Sequence, residues 1–476
     1  MANRSFRNSI SGVNIKVPVL SGGVRNYINF DNAASTPPLK CVWEALQDFK
    51  DYYSSVHRGT GYKSVVSTRA YDAAHEKALA FVGADPEHFT SILVRNTTEG
   101  INKLSRRLAL SRGDIVLSSL MEHHSNDLPW RMNSQIDYIE IDDFGQLDLD
   151  DLRCKLTKHG RRVKLVAISG ASNVTGLMPP VKQIATIVHE NGAEFMVDAA
   201  QLAPHRKITM GKPGQPDSID YLVFSGHKMY APFGTGVLIG PKRTFKQGDP
   251  DMVGGGTVNY VTLSQVQWAH LPDKEEAGSP NVPGAVALGA AIDFFDKVGF
   301  SSVAAHEREL TQYALRKFAE LDGIKLYGPS KWQAGQDRVG VISFNVEGVY
   351  HAIAAAILSY EGAVAVRNGC FCAHPYIQRL LKISDEKSRI YRDQINQGVR
   401  SEVPGLVRVS FGIYNTRAEI DSFFRTLRSI VNRSHKGEYE VDRHSGQVRA
   451  KGFEFPMKSS FWCHENHKGT SRRSHR

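Results

Sequence analysis

The sequence predicts an α/β protein: a large domain on a mainly parallel sheet, followed by a smaller C-terminal α+β domain. Three observations carry this. Short apolar runs alternate with helix-period stretches over the first two thirds of the chain, the pattern of a parallel sheet covered on both faces. After about Gly299 helical stretches alternate instead with isolated strands. With 476 residues the chain is also too long for one compact core.

The elements follow in order. Residues 27–30 read as a strand, and Leu39, Val42, Trp43, Leu46 and Phe49 recur at helical spacing. Residues 91–95 form a strand that runs into a Thr-rich turn and a helix. Further strands read at 114–117, 136–141, 163–168, 195–197 and 221–224. A helix over 181–190 stops at Asn191-Gly192. In the last third, helices over 304–321 and 350–359 alternate with strands at 339–345 and 407–410. The charged, helix-prone stretch 378–404 sits like an insertion. The expected organisation is an arm over 1–26, a large domain over 27–296, a small domain over 297–432 and a basic tail over 433–476. Turn signals in the tail predict a hairpin and then a disordered end.

Composition narrows the class. Hydrophobic residues at 41% and charged residues at 23% are ordinary for a globular protein. The net charge of +10 is concentrated late, with an excess of five positive charges from Asn432 onward. No basic run is interleaved with aromatic residues as a nucleic-acid groove requires, and no apolar stretch is long enough to cross a bilayer. Residues 1–30 contain no acid, a composition shared by transit peptides and flexible arms; the arm is the expectation, with a cytoplasmic location. Five cysteines in this length fit a reducing compartment.

The polar motifs fall at strand ends, where such sheets collect ligands. Lys228, in "FSGHKMYAPFGTG", directly follows an apolar strand. Asp198, in "VDAAQ" with Gln201, closes another. A carboxylate there needs a cationic partner, which a protonated pyridine nitrogen supplies. Pyridoxal phosphate needs a lysine, a carboxylate facing its ring nitrogen, and a phosphate cradle. Thr97 and Thr98 begin a helix whose free amides suit a phosphate, and Ser225 and His227 flank the lysine.

Together with "FDNAASTP", "HRGTGYKS", "MEHHSNDLPW", "SNVTG", "GSPN", "VRNGCFCAHP" and "VRVSFGIYNT", these motifs resemble the class V aminotransferase-like, fold-type I pyridoxal-phosphate-dependent family. Within it, the chain is most similar to the cysteine desulfurase and selenocysteine lyase group, from about Tyr27 to Leu427. The resemblance implies a mainly parallel seven-stranded sheet in the large domain and a homodimer. It implies that Lys228 bonds the cofactor and moves the substrate's Cα proton, that Asp198 pairs with the ring nitrogen, and that Gln201 meets the ring hydroxyl. His123 stacks on the ring and relays protons. Thr98, Ser225 and His227 bind the phosphate, and Ser279 reaches the partner subunit's phosphate. Asn173, Arg367 and Arg408 hold the substrate, L-cysteine or a related amino acid. Cys372 takes its sulfur as a persulfide, leaving alanine, and a sulfur-acceptor protein follows.

The loop departs from relatives, which commonly carry His-His-Cys where this chain has Cys370-Phe371-Cys372. A Cys-Phe-Cys loop is similar to that of molybdenum-cofactor sulfurases. The other readings are a selenocysteine lyase, aminotransferase, epimerase or different C–S lyase in which Cys372 is not the nucleophile. No metal is expected: the His123-His124 pair lacks further ligands at metal spacing, and Cys41, Cys154 and Cys463 form no set with the loop cysteines. A Cys370–Cys372 disulfide would close a very small, strained ring. Cys370 stands open between a resolving thiol, a persulfide relay and a buried filler.

Overall fold

A computed structural model describes residues 3–332 and 337–456. Its centre is a seven-stranded sheet of β1 (Phe89–Val94), β2 (Ile115–Ser119), β3 (Gln135–Ile139), β4 (Val163–Ser169), β5 (Glu194–Asp198), β6 (Tyr221–Ser225) and β7 (Gly236–Pro241), in the order β1-β7-β6-β5-β4-β2-β3. Only β7 runs antiparallel to its neighbours. The carboxyl ends of the other six strands therefore lie along one edge.

Burial explains the strand sequences. All five residues of β6 are buried, and alternate ones feed opposite faces. Leu222 and Phe224 join the core that contains Phe81 and Ile292, while Tyr221 and Val223 join the one with Leu104 and Trp130. A strand buried on both faces reads as a continuous apolar run.

The C-terminal part carries a four-stranded antiparallel sheet of β8 (Ile324–Tyr327), β9 (Val341–Val346), β10 (Arg367–Gly369) and β11 (Leu406–Ser410), in the order β8-β9-β11-β10. Its core packs Ile342, Phe344, Val407 and Val409 against Phe318, Phe423 and Phe424. With Val407 and Val409 committed to that core, the pleat turns Arg408 to the opposite face. The exposed helix Asp385–Asn396, which buries none of its residues, occupies the predicted insertion.

Several expectations are corrected. Strand β7 begins at the last glycine of the lysine motif and had no reading from the sequence. Strand Ile28–Asn29 pairs not with the large sheet but with Val364–Ala365. The N-terminal segment is no flexible arm: Phe6, Ile10 and Val19 are buried, and Arg7 pairs with Glu419 at 2.8 Å. The tail does form a hairpin, Tyr439–Val441 with Val448–Ala450. Glu361 fastens it by accepting from Gly437 N and Tyr439 OH, both at 2.9 Å. The expected disordered end and Cys463 lie outside the described residues. No described helix is long and apolar enough to cross a membrane.

Two close approaches join the parts. Gly176 has φ +75°, and a Cβ there would lie 2.4 Å from Val339 O; its absence lets Val339 N donate to Gly176 O at 2.8 Å. Glu307, fully buried on helix Phe300–Ala319, binds His205 Nδ1 at 2.7 Å, Arg206 at 2.5 Å and Gly340 N at 2.7 Å. Burial alone would raise its pKa, but His205 and Arg206 outweigh it and hold the carboxyl down at about 2. Glu307→Ala should cost about 3 kcal/mol, because a buried cation loses one of its two acids; Asp337 remains beside Arg206 at 2.7 Å. The urea midpoint reads this loss. The depressed pKa means the contribution is complete above the ordinary glutamate value and is lost as pH falls toward about 2.

Candidate active site

One cavity of about 240 Å³ lies where the carboxyl ends of the large sheet meet β10 and β11. Its walls contain Thr97, Thr98, His123, Asn173, Asp198, Gln201, Ser225, His227, Lys228, Arg367, Cys372 and Arg408. Every site residue expected from the sequence is there except Ser279. Ser279 lines a separate groove with Tyr53, Arg58 and Glu276.

The strands deliver these groups. Asp198 is the last residue of β5, Ser225 is the last of β6, and Lys228 sits on the single 3₁₀ turn that follows. Helix Thr97–Arg107 follows β1 and is capped by Asn96, whose side chain accepts from Glu99 N at 3.0 Å. Thr97 N donates to Ser225 Oγ at 2.8 Å, the Thr97 and Ser225 hydroxyls meet at 2.7 Å, and those of Thr98 and Ser125 meet at 2.7 Å. Four hydroxyls thus ring the positive end of a helix, a cradle for a dianionic phosphate.

Asp198 is buried, and Lys228 is half-buried at the cavity wall. Among the described residues, one hydrogen bond reaches the Asp198 carboxylate, from Ala200 N at 2.9 Å, and Lys228 Nζ has only a long donation to Gln201 Oε1 at 3.4 Å. No ion pair joins the two. Burial raises the Asp198 pKa and pushes Lys228 down to about 8, against the pull of Asp198. A buried acid and a half-buried amine in one cavity, each with a single hydrogen bond from protein and no ion pair between them, fit a polar group that pairs with the acid and bonds the amine. Pyridoxal phosphate has that donor set.

His123 lines the same cavity. Its Nδ1 accepts from Ser125 N at 3.1 Å. Burial, with Lys228 nearby, pushes it down to about 3, so the ring is neutral with its proton on Nε2. Burial and Lys228 likewise push His227 down to about 4.

On the other wall Arg408 donates to Asn173 O at 2.9 Å and to Asp31 at 2.9 Å. Its Nε is buried without a partner. Asp31 also faces Arg367 at 3.7 Å. Phe371 covers the Arg408 guanidinium at 4.7 Å from the ring centroid.

Cys372 is exposed into this space. It sits in a turn closed by Ala373 N donating to Cys370 O at 2.8 Å. Both central residues adopt positive φ, Phe371 at 49° and Cys372 at 55°, a conformation that favours glycine or asparagine and costs about 1–3 kcal/mol per residue. Asn173 Nδ2 donates to Phe371 O at 2.8 Å and His124 N to Cys372 O at 2.7 Å, which hold the turn in place. Cys370 points away: its thiol donates to Pro404 O at 3.2 Å, and burial, with Cys372 close by, pushes it up to about 11. Cys370 is thus turned away from the cavity that Cys372 lines.

Sequence reading assigned no role to Asp31, Ser125 or Glu122. Asp31 and Glu122 lie within quoted motifs, yet only their distant partners show what they do. Glu122 is fully buried and accepts from Ser119, Asn126 and Ser169, and burial, opposed by those bonds, pushes it up to about 7.

The decisive comparison is a match to the aminotransferase class-V family model over residues 28–423. The chain belongs to this family. It is 36% identical to a probable cysteine desulfurase of Halalkalibacterium halodurans over 421 residues, covering 86% of this chain and 95% of the relative. The apo structure of a cysteine desulfurase from Thermococcus onnurineus superposes with a TM-score of 0.75 at 32% identity, over 85% of this chain and 95% of that one. A cysteine desulfurase from Escherichia coli, in an S-sulfonic acid form, gives 0.74 at 27% identity, over 90% and 98%. The protein is thus a cysteine desulfurase-like enzyme of the class-V family, for which the family implies pyridoxal phosphate.

The Lys228 amine should react with pyridoxal phosphate in the apoprotein with a pH midpoint near 8. Asp198 raises the Lys228 pKa and Arg408 lowers it, so Asp198→Asn should move the midpoint down and Arg408→Leu should move it up. Stopped-flow absorbance against pH reads both shifts.

Proposed function

We propose that this enzyme is a pyridoxal-phosphate-dependent cysteine desulfurase. It moves the sulfur of L-cysteine onto Cys372 and releases alanine. The observation that carries the reading is the exposed Cys372 thiol on a held turn in the same cavity as Lys228, Asp198 and Arg408.

Lys228, Asp198 and Gln201 would hold the ring, with His123 beside it. Thr97, Thr98, Ser225 and His227 would hold the phosphate. When bound, the cofactor draws electron density from the substrate's Cα. Arg408, with its unpaired Nε, and Asn173 orient the α-carboxylate, and Arg367 guards the mouth. Near its pKa of about 8, Lys228 is able to take the Cα proton and return it. Neutral His123 carries a proton on Nε2 toward the reacting groups. The Cys372 thiolate attacks the substrate sulfur: the Cβ–S bond breaks, an S–S bond forms, and Cβ gains a proton. Cysteine plus the enzyme thiol thus balances alanine plus the enzyme persulfide.

A homodimer completes the reading. The hairpin Val258–Val261 with Val266–Trp268 exposes Tyr260, Val261, Leu263 and Val266, an apolar face that suits a second copy. Ser279 lies in the adjoining groove, in keeping with a role at the partner's phosphate. The persulfide then passes to a sulfur-acceptor protein. The domain boundaries near residues 26, 296 and 432 belong to the same reading. So does a cytoplasmic location, supported by four free cysteines among the described residues.

A substrate screen tests the proposal by scoring sulfide, alanine and keto acid. The wild type should yield alanine and sulfide from cysteine in the presence of a thiol reductant. Cys372→Ala should drop to background while its cofactor absorbance stays unchanged. Sulfide release that survives in Cys372→Ala sinks the proposal. Leu263→Asp should shift the protein to monomer in sedimentation.

A further inference from the structure

The nucleophile turn is gripped from one side by a single residue. His124 N donates to Cys372 O at 2.7 Å. The His124 ring then receives the residue just beyond the turn. His374 N donates to His124 Nε2 at 3.2 Å, and His374 Nδ1 lies 3.0 Å from the same nitrogen. The two rings are within 10° of parallel, with centroids 4.9 Å apart. For both contacts to be hydrogen bonds, His124 Nε2 carries the lone pair and His374 Nδ1 the proton.

Nothing in the mechanism uses these imidazoles, since His123 is the one that lines the cavity. Charges near His124 are already matched to each other: Asp127 takes Arg131 at 2.6 and 2.8 Å. The turn, in contrast, has two left-handed non-glycine residues in succession, so it persists only where surrounding contacts over-determine it. His124 is bonded to the last residue of the strained segment and to His374 just beyond it, and it is covalently next to His123.

We propose that His124 and His374 form a latch that positions the Cys372 turn against the His123 loop, so that the thiol is registered with the substrate. They are positioning residues, and they act through Cys372. The proposal rests on Cys372 being the nucleophile, yet the order of the turn is measurable by itself.

The test compares four variants of the holoenzyme by amide hydrogen exchange over residues 370–376 and by steady-state alanine formation. His374→Leu and His124→Phe remove the donor and the acceptor. His374→Asn and His124→Gln keep one near the Nδ1 and Nε2 positions. Exchange should rise about tenfold in the Leu and Phe variants. In the same variants kcat should fall about fivefold, with KM within about twofold and cofactor absorbance unchanged. The Asn and Gln variants should stay within about twofold of the wild type, and the double Phe/Leu variant should be no worse than the poorer single one. His374→Ser repeats the test should the leucine variant fail to fold. Unchanged exchange in the deletion variants, or Asn and Gln as damaging as Leu and Phe, overturns the latch. If sulfide release survives in Cys372→Ala while the exchange pattern holds, the desulfurase reading falls and the latch stands.

Discussion

The site is organised by a buried acid and a half-buried amine that do not touch. Asp198 ends one strand and Lys228 sits on the turn after its parallel neighbour, so their separation depends on the sheet, whose strands lie about 4.8 Å apart. Neither is neutralised by protein, and each is shifted by burial toward its uncharged form. That arrangement is costly for the chain alone. It becomes favourable when one ligand spans both groups, and the hydroxyl-ringed helix end at Thr97 supplies a third anchor, one that holds an anion. Once that ligand is fixed, the rest of the cavity has to face it: His123 from the loop after β2, and the arginines and the cysteine from the smaller sheet.

The second half of the cavity depends on one strand's pleat. Val407 and Val409 enter the small core, and Arg408 between them must point out of it. It lands on Asn173 O and Asp31, which come from the large-sheet loop "SNVTG" and the early segment "FDNAASTP". The small sheet is thereby tied to the large one through the residue that would receive the substrate's carboxylate. Glu307 and Gly176 make the same junction from behind.

What the sequence revealed and what it hid divide along physical lines. Asp198, Lys228, Thr97 and Cys372 were legible because each is a polar residue placed at the end of an apolar run or in a loop with no core-forming pattern. Those signals are local. Strand β7 was missed because antiparallel insertion between β1 and β6 is a matter of pairing, and pairing leaves little trace in a six-residue apolar stretch bounded by glycine. The same holds for residues 27–30, whose strand joins a partner more than 300 residues away. Asp31 and Ser125 were invisible as site residues for a related reason: an aspartate next to asparagine reads as a turn until Arg408, 377 residues later, is seen to need it. The packed N-terminal segment escaped because Phe6 and Ile10 are too few to set a period.

The Cys-Phe-Cys loop gains a physical meaning from the same geometry. Phe371 lies flat enough on Arg408 to cover its guanidinium, and its carbonyl is held by Asn173, whose own carbonyl takes Arg408. Phe371 and Cys372 share one strained turn, so the thiol cannot leave the cavity without uncovering the arginine. A histidine in place of Phe371 would bring a polar, titratable ring against a cation that is already short of hydrogen-bond acceptors at Nε. An aromatic hydrocarbon shields that cation from water without competing for its donors. Cys370, with its thiol turned toward Pro404 O and its pKa raised, is a packed residue at the start of the turn, while Cys372 at its crest is exposed to the cavity. Two cysteines one residue apart therefore have opposite environments, and the difference comes from the direction in which the turn sends each side chain.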